Sequence, residues 1–142
     1  MTGHVATADI DISASAADVW KALTEPDLIE KYLVGARVES SWEPGTPITW
    51  KGEYDGRSYE DKGEVLVVEP EHRLEVTHFS PLSGQPDAPE NYHRVAYEIT
   101  DHGDKVHLTL SQDNNASEDE ARHSAETWRT MLENLKRLLE RD

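Results

Sequence analysis

Two histidines lie in strand-like segments where an imidazole could do chemistry. His78 follows Val76, and His93 precedes Val95, in segments that alternate apolar and polar residues. Alternate side chains of a strand share a face, so we expect both histidines to point inward. An imidazole changes charge near neutral pH and binds metals, so the pair could act as acid and base or hold a metal ion. A simpler interpretation also remains open: both histidines are buried and have hydrogen-bond partners.

No catalytic or metal-binding motif accompanies these histidines. The chain has no cysteine, which excludes disulfides, zinc thiolates, iron–sulfur clusters and cysteine nucleophiles. It also has no H-E-x-x-H, phosphate-binding loop, dinucleotide-binding or G-x-S-x-G motif in a suitable context. We therefore expect no metal and no cofactor, and we assign no catalytic residue. Whether the protein is an enzyme stays open, with binding favoured.

Carboxylates are abundant, but their positions indicate solvated side chains. Asp and Glu total 29 against 14 Lys and Arg, which gives a net charge of −15. Strand alternation turns most of them outward, as at Glu64, Glu75 and Glu98. A strongly negative field repels phosphate backbones, and the chain has no basic cluster, so we expect no nucleic-acid partner.

Aromatic residues give the more useful signal. They come from three predicted strands and the C-terminal helix, and some should meet inside the protein. Large aromatic side chains with a polar tip are typical of ligand cavities, although ordinary core filling is an equal alternative. The predicted cavity, between helix and sheet, is lined by Trp50, Tyr59, His78, His93, Tyr97, Trp128 and Met131. This mixture favours a mostly apolar ligand with one or two hydrogen-bonding groups.

The elements that would position these residues follow from hydrophobic periodicity. Ser15 resembles a helix N-cap, and Pro26 ends one short helix and opens another. The long stretch 81–91 contains three prolines and is predicted to be a loop that could cover the cavity. The predicted elements are a strand at 5–12, a helix at 16–24, a short helix from 26, strands at 48–50, 58–68, 72–79, 92–100 and 106–110, and turns at Asp55-Gly56 and 101–104.

The C-terminal segment is the clearest element. Ser117 and Glu120 form a capping box, and apolar residues then repeat every three or four positions to Leu139. A helix of this kind must bury its apolar stripe on the sheet. Antiparallel strands with segregated helices predict an α+β fold, and the length predicts a single domain over residues 1–142.

The sequence also predicts a location. No apolar run approaches the roughly 20 residues of a membrane span, and the N-terminus lacks the pattern of a signal peptide. We therefore expect a cytoplasmic protein that does not insert into membranes.

Several segments resemble one known superfamily. The sequence VWKALTEP at residues 19–26 is similar to the VW-x-ALT-x-P signature of START-like (SRPBCC) proteins. Residues 63–77 resemble that family's G-x-V…P…L-x-x-T segment, and 95–110 its final hairpin. Trp128 and the leucines that follow resemble its closing helix. Within the superfamily, the chain is most similar to the branch of the activator of heat-shock protein 90 ATPase.

The resemblance implies a helix-grip fold, in which a curved antiparallel sheet wraps around a long C-terminal helix, with two short helices after the first strand. It also implies a cavity for a hydrophobic small molecule and places Tyr32, on the second short helix, at the cavity mouth. Two alternatives follow from the same resemblance. One is a cyclase, dehydratase or hydrolase that uses the cavity.

The other alternative is a chaperone-activating, stress-response interaction module. Nothing in the chain corresponds to the N-terminal chaperone-binding domain of the eukaryotic activator, which argues against a chaperone partner. The resemblance is compatible with either a monomer or a homodimer.

Overall fold

A computed structural model describes residues 3–33, 36–54, 56–81 and 84–140. Asp55 of the predicted turn and residues 82 and 83 of the predicted loop lie outside the described residues. In chain order the elements are β1 (His4–Ile12), α1 (Ala16–Thr24), α2 (Pro26–Tyr32), β2 (Arg37–Ser40), β3 (Pro47–Tyr54), β4 (Arg57–Glu69), β5 (Arg73–His78), β6 (His93–Asp101), β7 (Val106–Asn115) and α3 (Glu118–Glu140).

Local capping sets where the helices begin. The Ser15 hydroxyl accepts a hydrogen bond of 3.1 Å from the Asp18 amide at the start of α1. Pro26 occupies the first turn of α2, where its missing N–H costs nothing. At α3, the Ser117 hydroxyl accepts from the Glu120 amide at 3.1 Å, and the Glu120 carboxylate accepts from the Ala116 amide at 2.8 Å. These bonds satisfy amides that have no partner within the helix.

The seven strands form one antiparallel sheet in the order β1-β7-β6-β5-β4-β3-β2. The first strand therefore pairs with the last, and the remaining strands follow as a meander toward β2. Register shifts interrupt β1 between His4 and Ala6, and β4 between Val65 and Val67. Such irregularities bend a strand, which helps the sheet to curve.

The long helix lies on the concave face of this sheet. Its apolar stripe buries Leu132 and Leu135 completely, in a core shared with Ile12, Val106 and Leu108. Most contacts between α3 and the sheet are with β1, with a few to β7, and the helix also meets α1 and α2. No helix among the described residues is long and apolar enough to cross a membrane.

The predicted helix-grip fold is confirmed, including the long C-terminal helix and the two short helices after the first strand. The bounds of α1 agree with the prediction. The short strand β2 had no predicted position of its own, and β7 continues five residues past the predicted end at 110.

The prediction of a solvated Glu75 is wrong. This side chain lies on the face of the sheet opposite α3, but the residue is only 3% exposed. Arg73 and Arg94 both pair with its carboxylate and cover it, and Arg73 also pairs with Glu98. Alternation gave the face of the sheet correctly, but long arginine side chains remove this carboxylate from water.

The prediction that segment 81–91 covers the cavity is also wrong for its described part. That part ends in a 3₁₀ turn at Pro89–Asn91. Asp87 forms an ion pair with Lys62, and the Tyr92 ring stacks on Phe79 with 5.1 Å between ring centroids. These contacts dock the loop beside β4, where it lines a shallow groove separate from the cavity.

Candidate functional site

A cavity of about 650 Å³ lies between the concave face of the sheet and the helices α2 and α3. It exists because α3 packs toward the β1 edge, so strands β3 to β6 curve away from the helix without filling the space beneath it. The described residues around it come from α2 and the segment after it, from β3 to β6, and from α3: Tyr32, Leu33, Ala36, Trp50, Tyr59, Asp61, Val76, His78, Val95, Tyr97, Thr127, Trp128, Thr130, Met131 and Asn134.

Seven of the eight predicted site residues line this cavity. Trp50 comes from β3, Tyr59 from β4, His78 from β5 and Tyr97 from β6, and Tyr32, Trp128 and Met131 come from the helices. The structure thus brings these side chains together around one space. That the space binds a ligand stays a prediction.

The eighth residue, His93, lies elsewhere. It is the cross-strand partner of His78, but it lines a separate depression with Glu90 and Glu120. The His93 Nδ1 is 2.8 Å from the main-chain oxygen of Asp113. Strand parity specifies the face on which a side chain lies, but not how far along the strand a cavity extends, and His93 lies beyond the end of this one.

Tyr32 is part of the cavity wall, which corrects the expectation of a residue at the mouth. It is 4% exposed, and its hydroxyl donates to the Ala22 carbonyl at 2.7 Å. Burial raises the pKa of Tyr32 well above its ordinary value, so the hydroxyl stays protonated. The hydrogen bond ties α2 to α1 and fixes the floor of the cavity.

The polar part of the wall is a pair formed by Asp61 and His78. The His78 Nε2 lies 2.9 Å from the Asp61 Oδ2, and the two side chains are 24% and 15% exposed. The Trp50 ring packs edge-on against the imidazole, with 5.0 Å between ring centroids. Asp61 Oδ1 and His78 Nδ1 are buried and have no hydrogen-bond partner among the described residues. The hydrogen-bonding capacity of the pair is therefore incompletely satisfied within a mainly apolar wall.

The aromatic part of the wall is held by hydrogen bonds and burial. The Trp128 indole N–H donates to Gln112 Oε1 at 2.6 Å, which fixes the ring against the sheet. Burial raises the pKa of Tyr97, and burial together with the negative charge of Asp61 raises the pKa of Tyr59. Both phenols are therefore neutral at physiological pH and can donate a hydrogen bond.

The cavity wall is electrostatically one-sided. Among the described lining residues, Asp61 is the one carboxylate, and no lysine or arginine is present. Within the described part of the chain, no group of three or more His, Cys, Asp or Glu residues could hold a metal ion. The arrangement offers a carboxylate, an imidazole and phenol hydroxyls for hydrogen bonding or proton transfer, surrounded by aromatic rings.

Asp61 is the functional candidate that sequence reasoning missed. The available signal was alternation, since Tyr59 and Asp61 are two residues apart on β4 and share a face. Residues on this strand alternate between half-buried at 59, 61 and 63 and exposed at 60, 62 and 64. The general expectation that carboxylates turn outward hid this one inward acid.

Comparison with known proteins now adds to this geometry. Residues 13–140 match the family model described as activator of Hsp90 ATPase homolog 1-like protein. The chain belongs to this family. The resemblance seen in the sequence is thereby confirmed, and the match extends over nearly the whole chain. No curated protein matches the chain significantly.

Several solved structures share this fold. The solution structure of ChR145 from Cytophaga hutchinsonii has 44% identity and a TM-score of 0.86, and the match covers 99% of this chain and 96% of that one. The Aha1 dimer of Colwellia psychrerythraea has 19% identity and a TM-score of 0.74, with 97% of each chain covered.

A third structure, DynU16, is a putative protein of the dynemicin biosynthetic locus. It has 18% identity and a TM-score of 0.79, and the match covers 99% of this chain but 48% of DynU16. At these identities, the Aha1 and DynU16 structures show likeness of fold alone.

Proposed function

We propose that this protein binds a mostly apolar small molecule, with one or two hydrogen-bonding groups, in the cavity beneath α3. The observation that supports this is the cavity itself, whose volume of about 650 Å³ lies within the roughly 300–1,000 Å³ typical of ligand pockets. Ligand pockets are mainly apolar with a few convergent polar groups, and this wall has that composition.

The Asp61–His78 pair supports a binding role over simple core filling. A buried polar atom without a partner typically costs about 1–3 kcal/mol of stability, and this pair contains two. A purely structural core would be more stable with apolar residues at both positions. A ligand that forms hydrogen bonds with these two atoms would offset that cost, which gives the pair a role in binding.

A protein-interaction role has less support from the described surface. Chaperone or other protein partners commonly dock on exposed apolar patches. Among the described residues, Val5 is the large hydrophobic residue that is exposed, with 43% of its surface accessible to solvent. A single exposed valine makes no patch, so the cavity remains the stronger candidate site.

The proposal is tested by a thermal-shift screen with aromatic and acyl compounds, followed by titration of the hits using tryptophan fluorescence. Trp50 and Trp128 line the cavity, so a bound ligand should change the emission. A compound at 100 times its dissociation constant should add about 2.7 kcal/mol of stability and raise Tm measurably. A screen in which no compound raises Tm contradicts the proposal.

Variants then locate the site. We expect His78→Ala and Tyr97→Phe to weaken binding, the first by roughly tenfold, because each removes a polar group from the wall. His93→Ala is the matched control, since His93 is also half-buried but lies outside the cavity. If both cavity variants bind like the parent, the ligand binds elsewhere.

A proton-transfer enzyme is the second candidate function. The observation that favours it is the hydrogen bond between Asp61 and His78, because a carboxylate orients an imidazole for acid–base work. The same titrations distinguish the two candidates. An enzyme would convert a bound compound into a new species, seen by mass spectrometry, and His78→Ala would abolish conversion while some binding remained.

A further inference from the structure

The charge of the cavity wall restricts the chemical class of the ligand more narrowly than the volume of the cavity does. Asp61 is a half-buried carboxylate of the cavity wall, and the described residues of that wall contain no lysine or arginine. Its one hydrogen-bond partner in the described structure is His78, which in its neutral form donates the Nε2–H and brings no charge. At pH values where His78 is neutral, the wall carries one uncompensated negative charge.

Aromatic side chains share the cavity wall with this carboxylate. Trp50 is the cross-strand partner of Asp61, and Tyr59 lies two residues before it on the same face of β4. Tyr97 of β6 and Trp128 of α3 add two further aromatic side chains to the same wall. The face of an aromatic ring is electron-rich and attracts cations, most strongly for tryptophan.

We propose that the polar group of the ligand is an organic cation, a protonated amine or a quaternary ammonium, that sits among Trp50, Tyr59, Tyr97 and Trp128 and is drawn there by Asp61. This inference rests on the proposed binding function and specifies the ligand class of the same cavity. An apolar body attached to the cation fills the remaining volume beside Val76, Val95 and Met131.

Anionic ligands are unfavourable in this cavity for the same reason. A fatty-acid carboxylate or a phosphate would meet Asp61 with no lysine or arginine from the described wall to compensate it. The whole chain adds to this selectivity, because a net charge of −15 concentrates cations near the surface and repels anions. Both the local wall and the overall field therefore favour a positively charged ligand.

The test compares a cation with its neutral isostere. Benzyltrimethylammonium and 2,2-dimethylpropylbenzene have nearly the same shape, with nitrogen in one and carbon in the other, and 4-tert-butylbenzoate supplies an anion. Binding is measured at constant ionic strength from the NMR shifts of the Trp50 and Trp128 indole protons. We expect the cation to bind at least about tenfold more tightly than the neutral compound, and the anion to bind most weakly.

Two variants assign the preference to the carboxylate in the cavity. Asp61→Asn should reduce the ratio of cation to neutral affinity to about threefold or less, since cation–π attraction alone remains. Glu60→Gln is the matched control, because it changes the net charge equally on an exposed residue of the same strand. That variant should keep the ratio of the parent. Folding of both variants is checked by circular dichroism.

Each outcome decides one of the two proposals. Equal or tighter binding of the neutral compound by the parent protein overturns the cation inference and leaves small-molecule binding intact, and this comparison needs no variant. An equal loss of selectivity in Glu60→Gln and Asp61→Asn also overturns it, because the overall field would then be the cause. If no aromatic compound of any charge binds in the cavity, the proposed function itself fails.

Discussion

Three histidines of this protein occupy three electrostatic settings. His78 pairs with one buried carboxylate in the cavity, and His93 contacts a main-chain oxygen. His107 lies on the outer face of β7, next to β1. Its Nδ1 is 2.7 Å from Asp11 Oδ1 and its Nε2 is 3.0 Å from Asp9 Oδ2. Both ring nitrogens of His107 can donate at once only when the ring is protonated, so this site favours the imidazolium.

The contribution of His107 to stability should depend on pH. Hydrogen bonds to Asp11 and then Asp9 raise the pKa of His107 above the value of about 6.5 in unfolded chains. The stabilisation is therefore present below about pH 6.5 and is lost as the pH rises through the raised pKa. The His107 hydrogen bond also lowers the pKa of Asp11, so the contribution falls again in acid as Asp11 becomes protonated.

Thermal unfolding of the parent and of His107→Gln between pH 4 and pH 9 measures this effect. We expect the difference in Tm to be largest near pH 5–6 and to disappear by pH 9. It should stay within about 3 °C, because the side chain is 35% exposed and solvent weakens such pairs. His123→Gln, on the exposed face of α3, is the control. A difference that grows with rising pH would refute the assignment.

At the residue scale, alternation predicted most of the cavity wall and failed where a long-range contact decides the environment. It gave the correct face for His78 and Tyr97. It could not show that Asp61, alone among the carboxylates of this strand, lies inside. Nor could it show that Arg73 on the same strand and Arg94 on β6 cover Glu75, because alternation does not specify where long side chains fold over the sheet.

The element that decides the position of the cavity is α3. Its leucines pack over β1 and the first helix, while Thr127, Trp128 and Met131 face the open part of the sheet. Leu135 is fully buried at the centre of the packed part. A charged side chain at this position would be both desolvated and without a partner. Introducing one therefore tests directly whether the helix packs here.

We expect Leu135→Asp to destabilise the protein by about 3–5 kcal/mol, because an unpaired buried charge carries a cost of that order. Most or all of a typical domain stability of about 5–15 kcal/mol would then be lost. Urea unfolding followed by far-ultraviolet circular dichroism measures the change. His123→Asp introduces the same charge on the exposed face of α3 and should be nearly neutral. A melting temperature close to the parent would show that the helix does not pack as described.

The bounds of a helix or strand can be predicted from sequence when the residues that set them lie within that element. The bounds of α1 and α3 follow from capping residues and periodicity inside each helix. In contrast, β2 is four residues long and is defined by pairing with β3, which no local pattern reveals. The extension of β7 to Asn115 likewise depends on its partners in β1 and β6 rather than on its own polar sequence.

For the molecule as a whole, net charge opposes the compact state. A charge of −15 on 142 residues produces mutual repulsion that the ion pairs on the surface only partly offset. Those pairs include the cluster around Glu75, which is shielded from solvent, and the exposed contact of Arg37 with Asp27. The balance between repulsion and pairing determines the response to salt.

We expect Tm to rise by a few degrees as NaCl increases from about 10 mM to about 150 mM. Salt at the upper concentration screens exposed charges beyond roughly 8 Å, which weakens long-range repulsion more than close ion pairs. Differential scanning calorimetry at fixed pH measures the change, and KCl should act equally if the effect is screening. A Tm that stays constant or falls would mean that attractive pairs outweigh the net repulsion.

The pairing of the first strand with the last constrains how the chain can fold during synthesis. Ribosomes deliver residues from the N-terminus at about 5–20 per second, so β1 emerges many seconds before its strand partner β7 is complete at Asn115. The contacts of Glu140 with the Ser13 amide and of Lys136 with the Asp11 carbonyl form later still. The nascent chain must therefore keep the nine residues of β1 available until β7 has been synthesised, and the meander from β2 to β6 is the part that can assemble first.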